Sequence, residues 1–239
     1  MVYITFSWDD GAVEDLKLMD LSLNYNVPGI FFIPAINSER GVLSKGNIKL
    51  LAHNNFEIGA HTYSHCYLTH LPFNKANEEM LEGKDFLEQL TGNGVQHFCF
   101  PGGQYNSRLV DASKKYFMSA RSAATGALFV NNSYLVKPSF HFFDRGKKSL
   151  LYNSLKNKSP LFRLVLKNIL ISDYFDLINK VLEELSNSTD ENKVIIWGHS
   201  WEIEHFGLWK KLEDLFKSIN DQFPRKILRY SDLVNRIDV

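Results

Sequence analysis

Near its start the sequence reads Val2-Tyr3-Ile4-Thr5-Phe6-Ser7-Trp8-Asp9-Asp10-Gly11. A run of β-branched and aromatic residues is typical of a buried strand, and this run ends at two adjacent carboxylates and a glycine. Parallel strands bring functional groups together at their carboxyl ends. Two neighbouring carboxylates repel each other, and a bound cation keeps both ionised. The stretch therefore predicts a buried first strand that delivers an acidic pair to a cleft.

A second motif, Gly59-Ala60-His61-Thr62-Tyr63-Ser64-His65, follows another predicted strand and supplies nitrogen ligands. As three protein ligands, Asp10, His61 and His65 would leave room for water on a divalent ion. Zn²⁺ is the default ion for a site made of imidazole and carboxylate ligands. The four-residue spacing fits one face of a helix, although a loop serves equally. Surface or helix-capping histidines are the commoner explanation of an isolated H-x-x-x-H. The strand-end position and the acidic pair favour a metal site here.

The composition limits the classes of protein to which the chain can belong. Its 239 residues suit one large domain, and equal counts of 27 basic and 27 acidic residues exclude nucleic-acid binding by bulk charge. Cys66 and Cys99 are too few for a disulfide framework, and we expect both to be small buried residues in a reducing compartment. Because the first strand directly follows Met1 without a basic and apolar leader, we expect a cytoplasmic protein.

Strand and helix patterns alternate along most of the chain, which favours parallel βα units, and residues 227–230 are predicted as the last strand. The alternation stops over residues 126–172, which we interpret as an insert within a single domain. The insert is basic, and no acid occurs between Arg145 and Ser172. Its basic residues there are Arg145, Lys147, Lys148, Lys156, Lys158, Arg163 and Lys167. It would serve as a lid that binds an anionic substrate, as a membrane-surface contact, or as a solvated surface subdomain.

Four motifs, taken in order, resemble those of the polysaccharide deacetylase (NodB homology, carbohydrate esterase 4-like) family of metal-dependent amidohydrolases. They are residues 5–11, residues 61–65, Phe98-Cys99-Phe100-Pro101-Gly102-Gly103 and Val194-Ile195-Ile196-Trp197-Gly198-His199. The resemblance spans nearly the whole chain. It implies a distorted (β/α) barrel of about seven parallel strands that removes acetyl from an N-acetylated sugar. For a cytoplasmic protein, a sugar-nucleotide or lipid-linked precursor would be the substrate.

The resemblance also implies roles for the strand-end residues. Asp9 would be the general base that takes a proton from the attacking water, while Asp10 holds the metal. His199 follows a buried strand and would protonate the departing amine. The structural alternatives are a turn carboxylate for Asp9 and a histidine with only a packing role for His199. Glu202 or Glu204 would orient the His199 ring.

The third motif implies a substrate-binding loop. Pro101, Gly102 and Gly103 would bend into the cleft, with the Gly102 amide facing the developing oxyanion. An ordinary tight turn is the simpler explanation of a Pro-Gly pair. Tyr105 and Trp201 would contact the sugar.

The sequence departs from the family at two motifs. Cys99 stands where many members carry an arginine that positions the catalytic aspartate, and the usual acidic fourth motif is not recognisable. Arg121, which we group with the substrate-binding residues, would supply the missing cation from another strand.

Two other functions stay open at this point. One is a deformylase or cyclic-amide hydrolase that keeps the same site and takes a different substrate. The other is a non-catalytic carbohydrate-binding protein with this fold. The presence of both proposed proton-transfer groups, Asp9 and His199, disfavours the second.

Overall fold

Seven strands form one curled sheet in the computed structural model. They are β1 (Val2–Asp9), β2 (Gly29–Ile33), β3 (Glu57–Ala60), β4 (His97–Cys99), β5 (Ser119–Arg121), β6 (Phe140–His141) and β7 (Asn192–Gly198). Their order is β5-β4-β3-β2-β1-β7-β6, and all neighbouring strands are parallel. β1 lies inside the sheet, between β2 and β7. The predicted barrel-like α/β fold with seven parallel strands is confirmed.

The structure describes residues 1–128 and 132–236. Phe129, Val130 and Asn131 of the predicted insert, and residues 237–239, lie outside the described residues. The helices are α1 (Asp15–Asn24), α2 (Lys45–His53), α3 (Phe73–Thr91), α4 (Ser107–Ser113), α5 (Lys147–Lys156), α6 (Leu161–Lys167), α7 (Tyr174–Ser186), α8 (Ser200–His205), α9 (Trp209–Gln222) and α10 (Tyr230–Val234). Over the described ranges, no helix is both long and apolar enough to cross a membrane.

The two faces of β1 have different environments because successive side chains of a strand point to opposite sides. Phe6 and its neighbours of the same parity belong to the main core between sheet and helices, and the Phe6 ring meets Phe216 of α9 edge-on at 5.0 Å. The other face carries Thr5, Ser7 and Asp9, all buried. Asp9 therefore points to the inside of the curled sheet.

Residues 136–141 bring the two edges of the sheet together. Val136 donates its N–H to Ala120 and accepts from Ser122, both at 2.9 Å, while Ser139 donates to Ile195 of β7 at 2.8 Å. Strand β6 follows and pairs with β7. The segment predicted as an insert thus contains the edge strand β6 as well as α5 and α6.

The prediction of a last strand over residues 227–230 is wrong. Ile227 makes only an isolated bridge with Ile4, and α10 begins at Tyr230. The backbone N–H groups of Tyr230 and Ser231 donate to the carboxylate of Glu57 at 2.6 and 3.0 Å. The fully buried Tyr230 ring packs inside the sheet against Phe32, with ring centres 5.8 Å apart.

His97 makes folding stability sensitive to acid. It is 4% exposed, and burial lowers its pKa to about 4, against about 6.5 in an unfolded chain. Between pH 6.5 and pH 4 the unfolded chain takes up a proton that folded His97 does not, so about 3 kcal/mol of stability is lost as the pH falls. His97→Asn, which keeps a polar group near Ser119 Oγ, should lose less stability over this window in urea unfolding. Parallel losses in both proteins would contradict this prediction.

Candidate active site

The turn after β1 holds the acidic pair in a constrained backbone. Asp10 has φ 78° and Gly11 φ 61°, both in the left-handed region. Such a conformation costs energy for a residue other than glycine, and it recurs at functional sites. A Cβ on Gly11 would lie 2.7 Å from Cγ2 of Ile33. The turn therefore requires glycine after the two aspartates.

The histidine motif lies on a loop after β3, so the loop alternative holds and the helical one does not. His65 has φ 57°. Glu79 of α3 fixes the loop by accepting hydrogen bonds from the backbone N–H of Tyr63 at 3.1 Å and of Ser64 at 2.8 Å. The histidine loop is therefore anchored to a neighbouring helix.

Asp10, His61 and His65 converge on one point, with a ligand atom from each within 4.8 Å of the other two. Oδ1 of Asp10 lies 2.9 Å from Nε2 of His65 and 3.5 Å from Nε2 of His61. Nδ1 of His61 lies 2.8 Å from the Cys99 carbonyl, which directs the lone pair of Nε2 to the site. Burial works to raise the pKa of Asp10, but the two histidines and His199 hold it well below its usual range. This donor set fits a divalent ion such as Zn²⁺.

The other oxygen of Asp10 also has partners. Trp201 donates its indole N–H to Oδ2 at 2.9 Å. The guanidinium of Arg40 lies 3.7 Å from the centre of the Trp201 ring, and its Nε is 3.5 Å from the same Oδ2. Trp201 thus supports a carboxylate of the site in addition to lining the pocket, a role that the sequence did not indicate.

Asp9 is held from two sides inside the sheet. Arg121, which is fully buried, donates to Oδ1, and the Cys99 thiol lies 3.5 Å from Oδ2. Burial disfavours the charged guanidinium, but Asp9 raises the pKa of Arg121 above its usual value. Burial raises the pKa of the Cys99 thiol, so the sulfur stays protonated. Asp9 and Arg121 therefore form a buried ion pair.

His199 is oriented by Glu202. Nδ1 of His199 lies 2.6 Å from Oε2 of Glu202, and Nε2 lies 3.9 Å from Oδ2 of Asp10. Burial works to raise the pKa of Glu202, but its close contacts with His141 and His199 lower it to about 2. Glu204, the other carboxylate that the sequence offered, is exposed and pairs with Lys17 at 3.1 Å.

An open pocket of about 610 Å³ surrounds these groups, a size that suits a sugar unit. Three of the residues expected to bind substrate line this pocket: Gly102, Gly103 and Trp201. Gly103 donates its N–H to the Phe100 carbonyl at 2.8 Å, which leaves Gly102 as the candidate oxyanion donor of the two.

Three residues grouped with the substrate contacts do not line this pocket in the described part of the chain. Pro101 is buried, Tyr105 packs against Phe100 with ring centres 5.8 Å apart, and Arg121 is enclosed behind Asp9. The structure therefore does not bring these three side chains to the pocket wall. Arg121 touches the site through its contact with Asp9.

The sequence model of the polysaccharide deacetylase family matches residues 1–120, which is half of the chain. The chain belongs to the polysaccharide deacetylase family. A peptidoglycan-N-acetylglucosamine deacetylase from Bacillus cereus is 26% identical over 114 residues, which cover 47% of this chain and 52% of that protein. The chain thus spans about half the length of this curated relative.

Two crystal structures show the same fold at low identity. A family 4 carbohydrate esterase from Streptomyces lividans, in complex with acetate, has a TM-score of 0.57 and 12% identity, over 92% of this chain and 88% of that one. A CE4 family pseudoenzyme from Bacillus anthracis has a TM-score of 0.58 and 15% identity, over 98% and 65%. The fold therefore occurs in proteins described as an esterase and as a pseudoenzyme, so activity has to be argued from the site.

The cation beside Asp9 comes from β5 in this chain. Cys99 of β4 is paired in register with Arg121 of β5, so the guanidinium reaches Asp9 from the strand next to the third motif. This geometry agrees with the hypothesis that Arg121 replaces the family arginine.

Two residues on the β6 side line the pocket at positions that the sequence did not predict. His141 ends β6, and Arg145 follows it by four residues, with Nε of Arg145 3.0 Å from Nδ1 of His141. His141 lies in the aromatic run Ser139-Phe140-His141-Phe142-Phe143, and the sequence indicates Arg145 only as one of the basic residues of the predicted insert.

Proposed function

We propose that this chain hydrolyses the acetamide bond of an N-acetylated sugar with the help of a divalent ion, most simply Zn²⁺. One observation supports this proposal above all. The Asp10, His61 and His65 ligand atoms converge beside Asp9 and His199 at the wall of one pocket. A divalent ion held there would polarise the acyl carbonyl and make water more acidic.

The proton transfers then belong to two residues of the chain. Asp9 accepts a proton from a water molecule while the water oxygen attacks the carbonyl carbon. The Gly102 amide stabilises the developing oxyanion. As the carbon–nitrogen bond breaks, His199 donates a proton to the nitrogen, which leaves as an amine while the acyl group leaves as acetate. Arg121 keeps Asp9 in place, and Glu202 keeps His199 in place.

Metal analysis combined with an acid-release assay tests this function. The purified protein should bind about one divalent ion and release acetate from some member of a panel of free, oligomeric, nucleotide-linked and lipid-linked N-acetylhexosamines. Release of formate from formamides, or ring opening of cyclic amides, would favour the rival hydrolases. Metal binding without turnover of any amide would favour the non-catalytic alternative.

The insert supports a preference for anionic substrates. Arg145, Gly146 and Ser149 line the pocket, and Lys148 is exposed on α5, the helix that carries Ser149. We infer that nucleotide-linked or lipid-linked substrates are turned over faster than free sugars, and that added salt reduces the difference because it screens exposed charges. The membrane-surface contact of the insert stays a prediction, to be checked by sedimentation with phosphatidylglycerol vesicles against phosphatidylcholine vesicles.

A further inference from the structure

We propose that His141 is a positioning residue that holds Glu202, and through it His199, in the geometry for proton donation to the departing nitrogen. This inference rests on the proposed function. His141 ends β6, so this strand of the predicted insert would help to position the group that donates the proton.

The position of His141 is fixed by its neighbours. The side chain is buried at 2% exposure, and its ring stacks on Trp197 with centres 4.2 Å apart and planes 16° from parallel. The Tyr174 hydroxyl donates to the His141 carbonyl at 3.0 Å. The ring therefore has little freedom to move away from Glu202.

Glu202 lies between two imidazoles. Its Oε2 is 2.9 Å from Nε2 of His141 and 2.6 Å from Nδ1 of His199. The two rings are perpendicular, with centres 5.7 Å apart. The Nε2–Oε2 distance to His141 is short, although Nε2–H is not aligned on the oxygen as in a well-formed hydrogen bond. The N–H dipole of the His141 ring attracts the carboxylate and so holds it beside His199.

Arg145 sets the direction of the protons in this chain of contacts. Because a guanidinium can only donate, its Nε makes Nδ1 of His141 the acceptor and leaves the His141 proton on Nε2, toward Glu202. Glu202 in turn accepts from Nδ1–H of His199. This arrangement leaves Nε2 of His199, on the pocket side, as the atom that exchanges a proton with the substrate.

The ligand atoms of His141, His199 and Glu202 lie close enough together to hold a second metal ion. The guanidinium of Arg145 argues against that use. It occupies Nδ1 of His141 and lies 3.6 Å from Oε1 of Glu202, so a second cation would be repelled. The cluster is better explained as a support for one catalytic ring.

The test compares leaving groups. An N-acetylglucosamine oligomer needs a proton on its leaving nitrogen, whereas 4-nitrophenyl acetate releases a stable phenolate without one. We expect His141→Phe, which keeps an aromatic ring against Trp197, to lower kcat for the oligomer about 10- to 100-fold. Its KM, and its kcat for the ester, should stay within about twofold of wild type. His141→Gln, which retains a donor near Glu202, should recover most of the loss.

His97→Phe is the matched control, because it makes the same replacement at a buried histidine of another strand that does not line the pocket. It should leave the amide-to-ester ratio unchanged. Equal losses on both substrates in His141→Phe, or a change in KM alone, would overturn the inference. Failure of the wild type to release acetate from any N-acetylated substrate would overturn the proposed function as well.

A second readout does not depend on turnover. In the protein without metal, ¹⁵N NMR of the imidazoles should show neutral His199 protonated at Nδ1, because Glu202 accepts there. In His141→Phe the two tautomers of His199 should become mixed, while His97→Phe should match wild type. An unchanged His199 spectrum in His141→Phe would remove the positioning role.

Discussion

Asp9→Asn is expected to reduce acetate release about 10²- to 10⁴-fold while the divalent ion stays bound. An asparagine has nearly the same shape but cannot accept the proton of the attacking water. Its amide can still accept a hydrogen bond from Arg121, so the buried pocket around position 9 keeps a polar partner. Turnover and metal content should therefore separate in this variant.

His61→Ala provides the contrast for Asp9→Asn. It removes one of the three converging ligand atoms, so both metal content and acetate release should fall. Metal content is measured by elemental analysis after dialysis, and turnover by acetate release at saturating substrate. Normal turnover by Asp9→Asn would show that the proton acceptor is another group.

Arg121→Ala is expected to have the largest effect on stability, because it leaves the Asp9 carboxylate buried without its counter-charge. Removing one partner of a buried pair typically costs about 3 to 5 kcal/mol of unfolding free energy. The kcat for acetate release should fall too, since Asp9 loses the group that holds it in position. Urea unfolding and acetate release measure the two effects.

A double-mutant cycle keeps this prediction testable when the single variant is poorly folded. In the Asp9→Asn background there is no carboxylate left unpaired, so Arg121→Ala should cost less than it does in wild type. Arg121→Lys, which retains the charge, should lie between wild type and Arg121→Ala. Additive effects in the cycle, together with unchanged turnover in Arg121→Ala, would mean that Arg121 does not act through Asp9.

The parts of the fold that the sequence predicted are those with a strong local pattern. β1 has a long apolar run, and the acidic pair follows it directly, so both its burial and its functional end can be read from neighbouring residues. β6 has two residues, too few to show any periodicity. It is a strand only because residues 136–141 pair with strands distant in sequence.

Some residues of the site could be predicted from the sequence and others could not, again because only some of them have a local pattern. The predicted residues that lie together in the structure come at or after the ends of strands, and parallel strands place those ends at one edge of the sheet. They are Asp9, Asp10, His61, His65 and His199. Whether a loop residue faces the pocket depends on packing that no local pattern reveals. Tyr105 turns to Phe100, and Trp201 turns to Asp10. The pairing of Arg121 with Asp9 likewise depends on strand register, which became visible only in the assembled sheet.

The interior position of β1 in the sheet affects how the protein folds during synthesis. Its partner β7 (Asn192–Gly198) emerges from the ribosome about 190 residues later, so one edge of the first strand has no native partner during most of synthesis. Contacts so distant in sequence slow folding and expose strand edges to other chains. A fragment that ends near residue 120 would keep Asp9 and Asp10, and also His61 and His65. It would still lack the strand that covers β1, and such a fragment would aggregate instead of acting as a miniature enzyme.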